Sequence, residues 1–228
     1  MARLNSASQR QSQSGNVFFI ILIAVGLLAA ITIMISRSGS NVEQSGDVEQ
    51  NRIKISQIQR YARGVEVGVQ RLLLDGCSEN EISFENSVDP NYVNPGSPVD
   101  KSCHIFEPEG AGLEWREFGS NDLANTTSNI GFIGSISIES LEDDGRAELI
   151  FGAVLSQGLC TQINKELDVL SNVGTEIDYW DQYFIGTYSL EEQLGSSYGL
   201  GAGLEGKSAG CFIDDDFEHV YYHVLLAR

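Results

Sequence analysis

The hydrophobic pattern of this chain opens with an unbroken run. From Val17 to Ile35 it reads VFFIILIAVGLLAAITIMI, nineteen residues without a charge, thirteen of them Val, Ile, Leu or Phe. Each such residue favours a bilayer by ~0.3 to 0.6 kcal/mol near a helix centre, a summed gain that Gly26 and Thr32 do not offset. At roughly 1.5 Å per residue, a helix over this run approaches the ~30 Å of a hydrocarbon core. The run predicts a membrane-spanning helix. A cleaved signal peptide has a shorter apolar region, about 7 to 15 residues, closed by a small-x-small site.

After a polar interval, Ser36 to Asp47, the period becomes helical. Ile55, Ile58, Ala62, Val65, Val69 and Leu72 recur at alternating spacings of three and four and share one stripe. Leu74-Asp75-Gly76 supplies the stop, with Gly76 suited to the left-handed residue beyond a helix end. Gly64 and Gly68, one turn apart, each cost about 1 kcal/mol relative to Ala in a helix and predict a close approach by other backbone.

From Cys77 to Cys103 the periodicity gives way to Asp89-Pro90-Asn91, Asn94-Pro95-Gly96 and Ser97-Pro98, the chemistry of an ordered loop excursion. Short strands are predicted at Glu81–Phe84, His104–Glu107 and Leu113–Phe118, with a turn at Pro108–Gly112. The clearest β signal is Ile130–Leu155. Phe132 and Ser135 to Ile138 lead into Glu142-Asp143-Asp144-Gly145, and Ala147–Leu155 returns as an apolar strand, which predicts a hairpin. Leu159, Ile163, Leu167 and Leu170 predict an amphipathic helix over Ser156–Leu170, with Cys160 beside its buried face. Tyr179–Tyr188 is strand-like, Leu190–Leu194 helical or irregular, and Ser189–Lys207 a Gly-rich loop. His219–Leu226, HVYYHVLL, predicts a terminal strand tied into a sheet.

These elements define an α+β chain: a long N-terminal transmembrane helix with an extended stem, then a small antiparallel-sheet domain with a short packing helix. The segments are a basic leader over 1–15, the span over 16–36, a helical stem over 37–76 and an outer domain over 77–228.

Charge orients the span. Residues before it carry Arg3, Arg10 and the terminal amine with no acid, so the amino terminus faces the cytoplasm and the bulk of the chain lies outside. The whole chain has 32 acidic against 14 basic residues, a net charge of −18, which disfavours nucleic acid and anionic lipid headgroups as partners. Arg52, Lys54, Arg60, Arg63 and Arg71 make the stem its most basic stretch, with a polar face suited to acidic neighbours.

Cys77, Cys103, Cys160 and Cys211 all follow the span, in a compartment where disulfides persist, and none forms a C-x-x-C pair. Three pairings are open. Cys77 with Cys103 and Cys160 with Cys211 are favoured, because the first two bracket the loop-rich segment and the others the remainder.

Site chemistry is sparse. Gly195-Ser196-Ser197-Tyr198-Gly199 fits G-x-S-x-G, with Asp214, His219 and His223 following in hydrolase order, but such an elbow requires a strand before the serine and a helix after it. His219 and His223, four apart on a strand, lie roughly 13 Å apart, too far to share one ion. Asp214, Asp215, Asp216 and Glu218 are calcium-type ligands without the EF-hand spacing or its glycine. Asn125-Thr126-Thr127 fits the N-glycosylation pattern. No catalytic or cofactor-binding residue is expected.

Ser14-Gly15-Asn16-Val17-Phe18-Phe19, a basic leader ending in Gly15 and an immediate apolar helix that continues as a heptad-like stem, resembles type IV pilins and the pseudopilins of type II secretion. The resemblance implies cleavage between Gly15 and Asn16 by a prepilin peptidase, and assembly through helix packing by the anchor and by Ile55, Ile58, Val65, Val69 and Leu72. Most pilins carry glutamate where this chain has Ile20 and phenylalanine where it has Asn16. The Gly-Asn-Val start is also similar to the anchors of tight-adherence pilus-associated proteins, which need no cleavage. The expected protein is a non-enzymatic, single-pass subunit of the inner membrane with a periplasmic or extracellular domain. Its partners are membrane lipid and other pilin-like subunits or assembly proteins, as homo- or hetero-oligomers. The alternative is a tethered extracytoplasmic binding or accessory domain that does not polymerise.

Overall fold

The computed structural model describes residues 14–116, 118, 130–141, 145–169, 183–195 and 203–228, with backbone alone at 14–17, 34–48 and 192. The chain divides into two compact units between Asn51 and Arg52, and helix α1, Ser14–Leu74, crosses that division. In the first unit every large apolar side chain described from Phe18 to Ile33 is solvent-exposed, Ile23 least at 49%. Thr32 bonds its hydroxyl to the Leu28 carbonyl at 2.8 Å, removing a polar group from that surface. Among the described residues no helix is long and apolar enough to cross a membrane. Val17, Met34 and Ile35, the ends of the apolar run, lie outside the described side chains.

The second unit is α+β. A five-stranded sheet has the order β3-β1-β2-β5-β4. Its strands are β1, Ile130–Ile138; β2, Glu148–Leu155; β3, Glu192–Leu194; β4, Ala209–Ile213; and β5, His219–Leu226. The hairpin of β1 and β2 and the terminal strand β5 lie where the pattern predicts, although the turn at 142–144 falls outside the described residues. The sheet is mixed rather than wholly antiparallel, because β3 runs parallel to the end of β1. That strand occupies the stretch expected to be helical or irregular. Leu194, buried on one face of the sheet, and the 2.8 Å bond from the Glu139 amide to the Leu194 carbonyl fix it there.

Side-chain parity assigns the two faces. Phe132, Leu149, Phe151, Ala153, Leu155 and Tyr221 join the core shared with α1, whereas Ile133, Ile150, Val154, Val220, Tyr222 and Phe212 build a second core behind the sheet. Pairing of β1 with β2 slips between Ile133 and Ile136, so Ile136 and Ile138 join Ile133 on the second face despite their even numbers. A one-residue bulge reverses facing in this way, and it leaves Gly134 and Ser135 outside the regular ladder.

The stem stripe forms the other half of the first core. Ile55, Ile58, Ala62, Val65, Val69 and Leu72 are each no more than 1% exposed, and full burial of one such aliphatic side chain is worth ~1.5 to 3 kcal/mol. The compact unit therefore begins at Arg52 and not at the end of the helix, because this segment of α1 is part of the core. Gly76, at φ 105°, closes α1 as expected, with the Gly76 amide on the Leu73 carbonyl and the Cys77 amide on Leu72.

Between α1 and β1 the chain packs without regular strands. Glu81–Phe84 and His104–Glu107 meet through a single bridge, Ser83 to His104, and described positions of Leu113–Phe118 form no strand. The loop instead uses side-chain hydrogen bonds: the Asn94 amide donates to the Asn80 and Ile82 carbonyls at 2.9 and 2.8 Å. Helix α2, Gln157–Glu166, is shorter than expected, because Asp168 turns left-handed at φ 54° and the Val169 amide returns to the Asn164 carbonyl. Leu170 and 179–182 of the aromatic stretch lie outside the described residues, and 183–188 are irregular.

Candidate functional site

The helix and its seat bring together the largest group of residues singled out by sequence. Tyr61 on α1 meets Phe118 and Phe151 edge-on at 5.7 and 5.8 Å, and burial pushes its hydroxyl up to about 12. Phe84 stacks on Phe132 at 4.1 Å, extending the aromatic layer beneath the helix. Of the two glycines, only Gly68 meets a close neighbour, and it is side chain rather than the expected backbone: an added Cβ would stand 2.8 Å from Leu113 Cδ1 and 3.3 Å from Ala111 Cβ. At Gly64 nothing lies within 4 Å.

A polar contact fastens the same helix to β5. His223 Nε2 lies 2.7 Å from Glu66 Oε2, while the Gln70 amide donates to Glu66 Oε1 at 3.3 Å. A carboxylate only accepts, so Nε2 carries the proton and, in the neutral ring, Nδ1 is left to accept from the Tyr221 hydroxyl at 3.4 Å. Burial raises the Tyr221 phenol far above its ordinary value, keeping it neutral and able to donate. Sequence periodicity missed this pair, because Glu66 flanks the apolar stripe and finds its partner 157 residues away.

Both favoured disulfides are present, Cys77 with Cys103 and Cys160 with Cys211, with Cα separations of 5.8 and 5.5 Å. The first closes the proline-rich excursion onto the end of α1. The second fixes α2 beside the edge strand β4, where Asn164 completes the attachment. Its amide donates to the Cys211 carbonyl at 2.9 Å and its oxygen accepts the Cys211 amide at 2.8 Å, as a neighbouring strand would. A polar residue one turn beyond Cys160 on the helix's apolar face was the available sequence signal.

The remaining candidates that are described do not converge on one position. Asp214 is buried in the turn between β4 and β5, where Oδ1 accepts the Glu218 amide at 2.7 Å and Oδ2 has no hydrogen-bond partner. Burial raises this carboxyl to about 6. Among the described residues no three His, Cys, Asp or Glu side chains converge on a metal position, and Asp215 and Asp216 are exposed. Ser197 and Asn125 lie outside the described residues. A strand does precede the G-x-S-x-G pattern, and of the acid and histidines that follow it, Asp214 and His223 have other partners. Asp214 braces its own turn, His223 is held by Glu66, and His219 Nε2 is buried without a partner. Burial lowers the pKa of His219.

No protein-family model, curated protein or solved structure matches the chain. The fold is that of a disulfide-bonded α+β unit with a mixed five-stranded sheet and a helix seated in its core.

Proposed function

We propose that this chain is a membrane-anchored, pilin-like or pseudopilin-like structural subunit of a secretion or surface filament system, with no catalytic role. The observation that carries the reading is the exposed apolar row Phe18–Ile33 on the same helix whose later stripe, Ile55 to Leu72, is core. A row of exposed Phe, Ile and Leu side chains requires a covering, and lipid or neighbouring apolar helices supply it. In this reading the chain crosses the inner membrane once, with its α+β unit on the periplasmic or extracellular side, where both disulfides persist. It assembles with copies of itself, related subunits or membrane assembly proteins.

Amino-terminal sequencing of the mature protein, combined with membrane fractionation, tests this. A start at Asn16 in the membrane fraction supports processing at Gly15, whereas an intact Met1 or Ala2 removes most of the force of the pilin reading. Ile20 and Asn16, departing from the usual pilin residues, favour the second reading, a tethered binding or accessory domain that does not polymerise. Cross-linking in membranes separates the two: a ladder of multiples marks the subunit, a single band the tethered domain.

A further inference from the structure

The β1 bulge opens a cleft that neither disulfides nor core packing account for. Alongside β1 the Phe184 amide bonds to the Phe132 carbonyl at 2.8 Å, and the Ser189 amide to the Gly134 carbonyl at 3.1 Å. The stretch between Phe184 and Ser189 is therefore longer than the β1 stretch it accompanies; Phe184 and the Thr187 carbonyl pack on Gly134, and Ile185, Thr187 and Ser189 line a cleft beside Gly134 and Ser135. The resulting cleft has a volume of about 340 Å³, within the usual range for small-molecule sites.

Buried contacts hold part of its wall. Tyr183, 37% exposed, meets the buried ring of Tyr92 edge-on at 5.0 Å, and the Tyr92 hydroxyl is held by the Phe132 amide at 3.1 Å. Behind Ile185, the Asn80 amide donates to the Gly186 carbonyl at 2.7 Å, and Gly186 has φ 84° with room for no side chain. Besides Tyr183 and Ile185 the lining includes Asn91, Ser135, Ser189 and Glu191, whose side chains carry amide, hydroxyl and carboxylate groups. Ser189 Oγ donates to Glu191 Oε1 at 3.0 Å, which orients both groups.

We infer that this cleft binds a neutral saccharide ring. A partly exposed tyrosine ring in the lining suits the apolar C–H face of a sugar, while amide, hydroxyl and carboxylate groups suit its hydroxyls, which both donate and accept. None of the described lining residues is Lys, Arg or His, so a phosphate or carboxylate ligand would enter without a countercharge, on a chain of net charge −18. The mixed lining also disfavours a purely apolar ligand, which would desolvate the carboxylate without replacing its hydrogen bonds. The anchored part of the wall lowers the ordering cost of binding. The inference does not depend on how the chain is anchored or whether it polymerises.

The test is saturation-transfer NMR on the full chain, held in a zwitterionic detergent that carries no sugar headgroup. Glucose, galactose, N-acetylglucosamine and their β-linked disaccharides are the probes at millimolar concentration, with choline as a cationic comparator. The expected result is transfer to ring protons of at least one saccharide, weakened about tenfold or more by Tyr183→Ala, as for truncation of an aromatic anchor, and retained in Tyr183→Phe. Glu191→Gln, which keeps shape but loses charge and one acceptor, weakens it less, and Leu190→Ala, on an exposed side chain outside the cleft, leaves it unchanged. Thermal melting of each variant verifies folding, and Glu191→Gln carries the comparison if Tyr183→Ala fails to fold. Absence of transfer to every saccharide, equal binding by all folded cleft variants, or binding of choline alone would overturn the inference.

Discussion

At the scale of single residues, burial decides the behaviour of Asp214. Its folded pKa, about 6, lies above the ordinary 3.8, so between those values the folded state binds more protons than the unfolded state. Stability from this group therefore falls as pH rises through that window, and its penalty is complete above it. Asp214→Asn keeps an acceptor for the Glu218 amide and removes the titration. Thermal melts should show the variant at least as stable as wild type near neutral pH, with a flatter profile between about pH 4 and 6. A steeper profile would show that another group dominates. Two glycines divide in the opposite sense. Gly64 has open space, so Gly64→Ala should raise stability by up to ~1 kcal/mol through helix propensity. At Gly110 an added Cβ would sit 2.0 Å from the His104 carbonyl oxygen, so Gly110→Ala should lose on the order of 1 to 3 kcal/mol by displacing backbone. Chemical denaturation of both variants measures the contrast.

At the scale of elements, α2 guards the open edge of the sheet. Asn164 occupies the position of a missing strand at Cys211, and removing its amide leaves a buried donor and acceptor without their strand-like partner. Asn164→Ala should therefore destabilise by about 1 to 3 kcal/mol for each group so exposed, read from the denaturant midpoint. A loss no larger than that of an ordinary surface substitution would mean that water replaces the amide. The clasp between α1 and β5 makes a similar claim: Glu66→Ala should destabilise by ~1.5 to 3 kcal/mol, the range for a hydrogen bond to a charged group, and Glu66→Gln by less. Helix and strand identities here were legible in periodicity. The stripe of α1, the β1–β2 hairpin and β5 stand where spacing places them, because half-buried elements must repeat at 3.6 or 2 residues. The expected strands at Glu81–Phe84 and His104–Glu107 resolve into loop because the Asn94 side-chain amide takes the Asn80 and Ile82 carbonyls, and the amides of Gly110, Ala111 and Leu113 take the Glu107, His104 and Ile105 carbonyls, so that backbone is satisfied without a ladder beyond one bridge. β3, only three residues long, has too little sequence to show a period.

At the scale of the whole molecule, the division between Asn51 and Arg52 makes a claim about what folds independently. A chain beginning at Arg52 retains the complete buried stripe and should fold with both disulfides and a single cooperative transition. One beginning at Cys77 lacks Ile55 through Leu72 and exposes the aromatic layer of β1 and β2, so it should aggregate or remain unfolded. Circular dichroism and size-exclusion chromatography of the two chains distinguish these outcomes. Reduction should lower the melting temperature of the longer one, since each disulfide is worth about 2 to 4 kcal/mol.

The sequence by itself determined the α+β class, the apolar run, the stem stripe and the favoured cysteine pairs. Each follows from local composition, short-range period or the order of elements along the chain. Tertiary structure decided that the stem belongs to the core, that β3 enters parallel, and that a bulge at Gly134 and Ser135 reverses facing and opens a cleft. It also decided that Glu66 meets His223 and that Asn164 replaces a strand. These depend on groups brought together from distant positions, and no local period encodes which of them will meet.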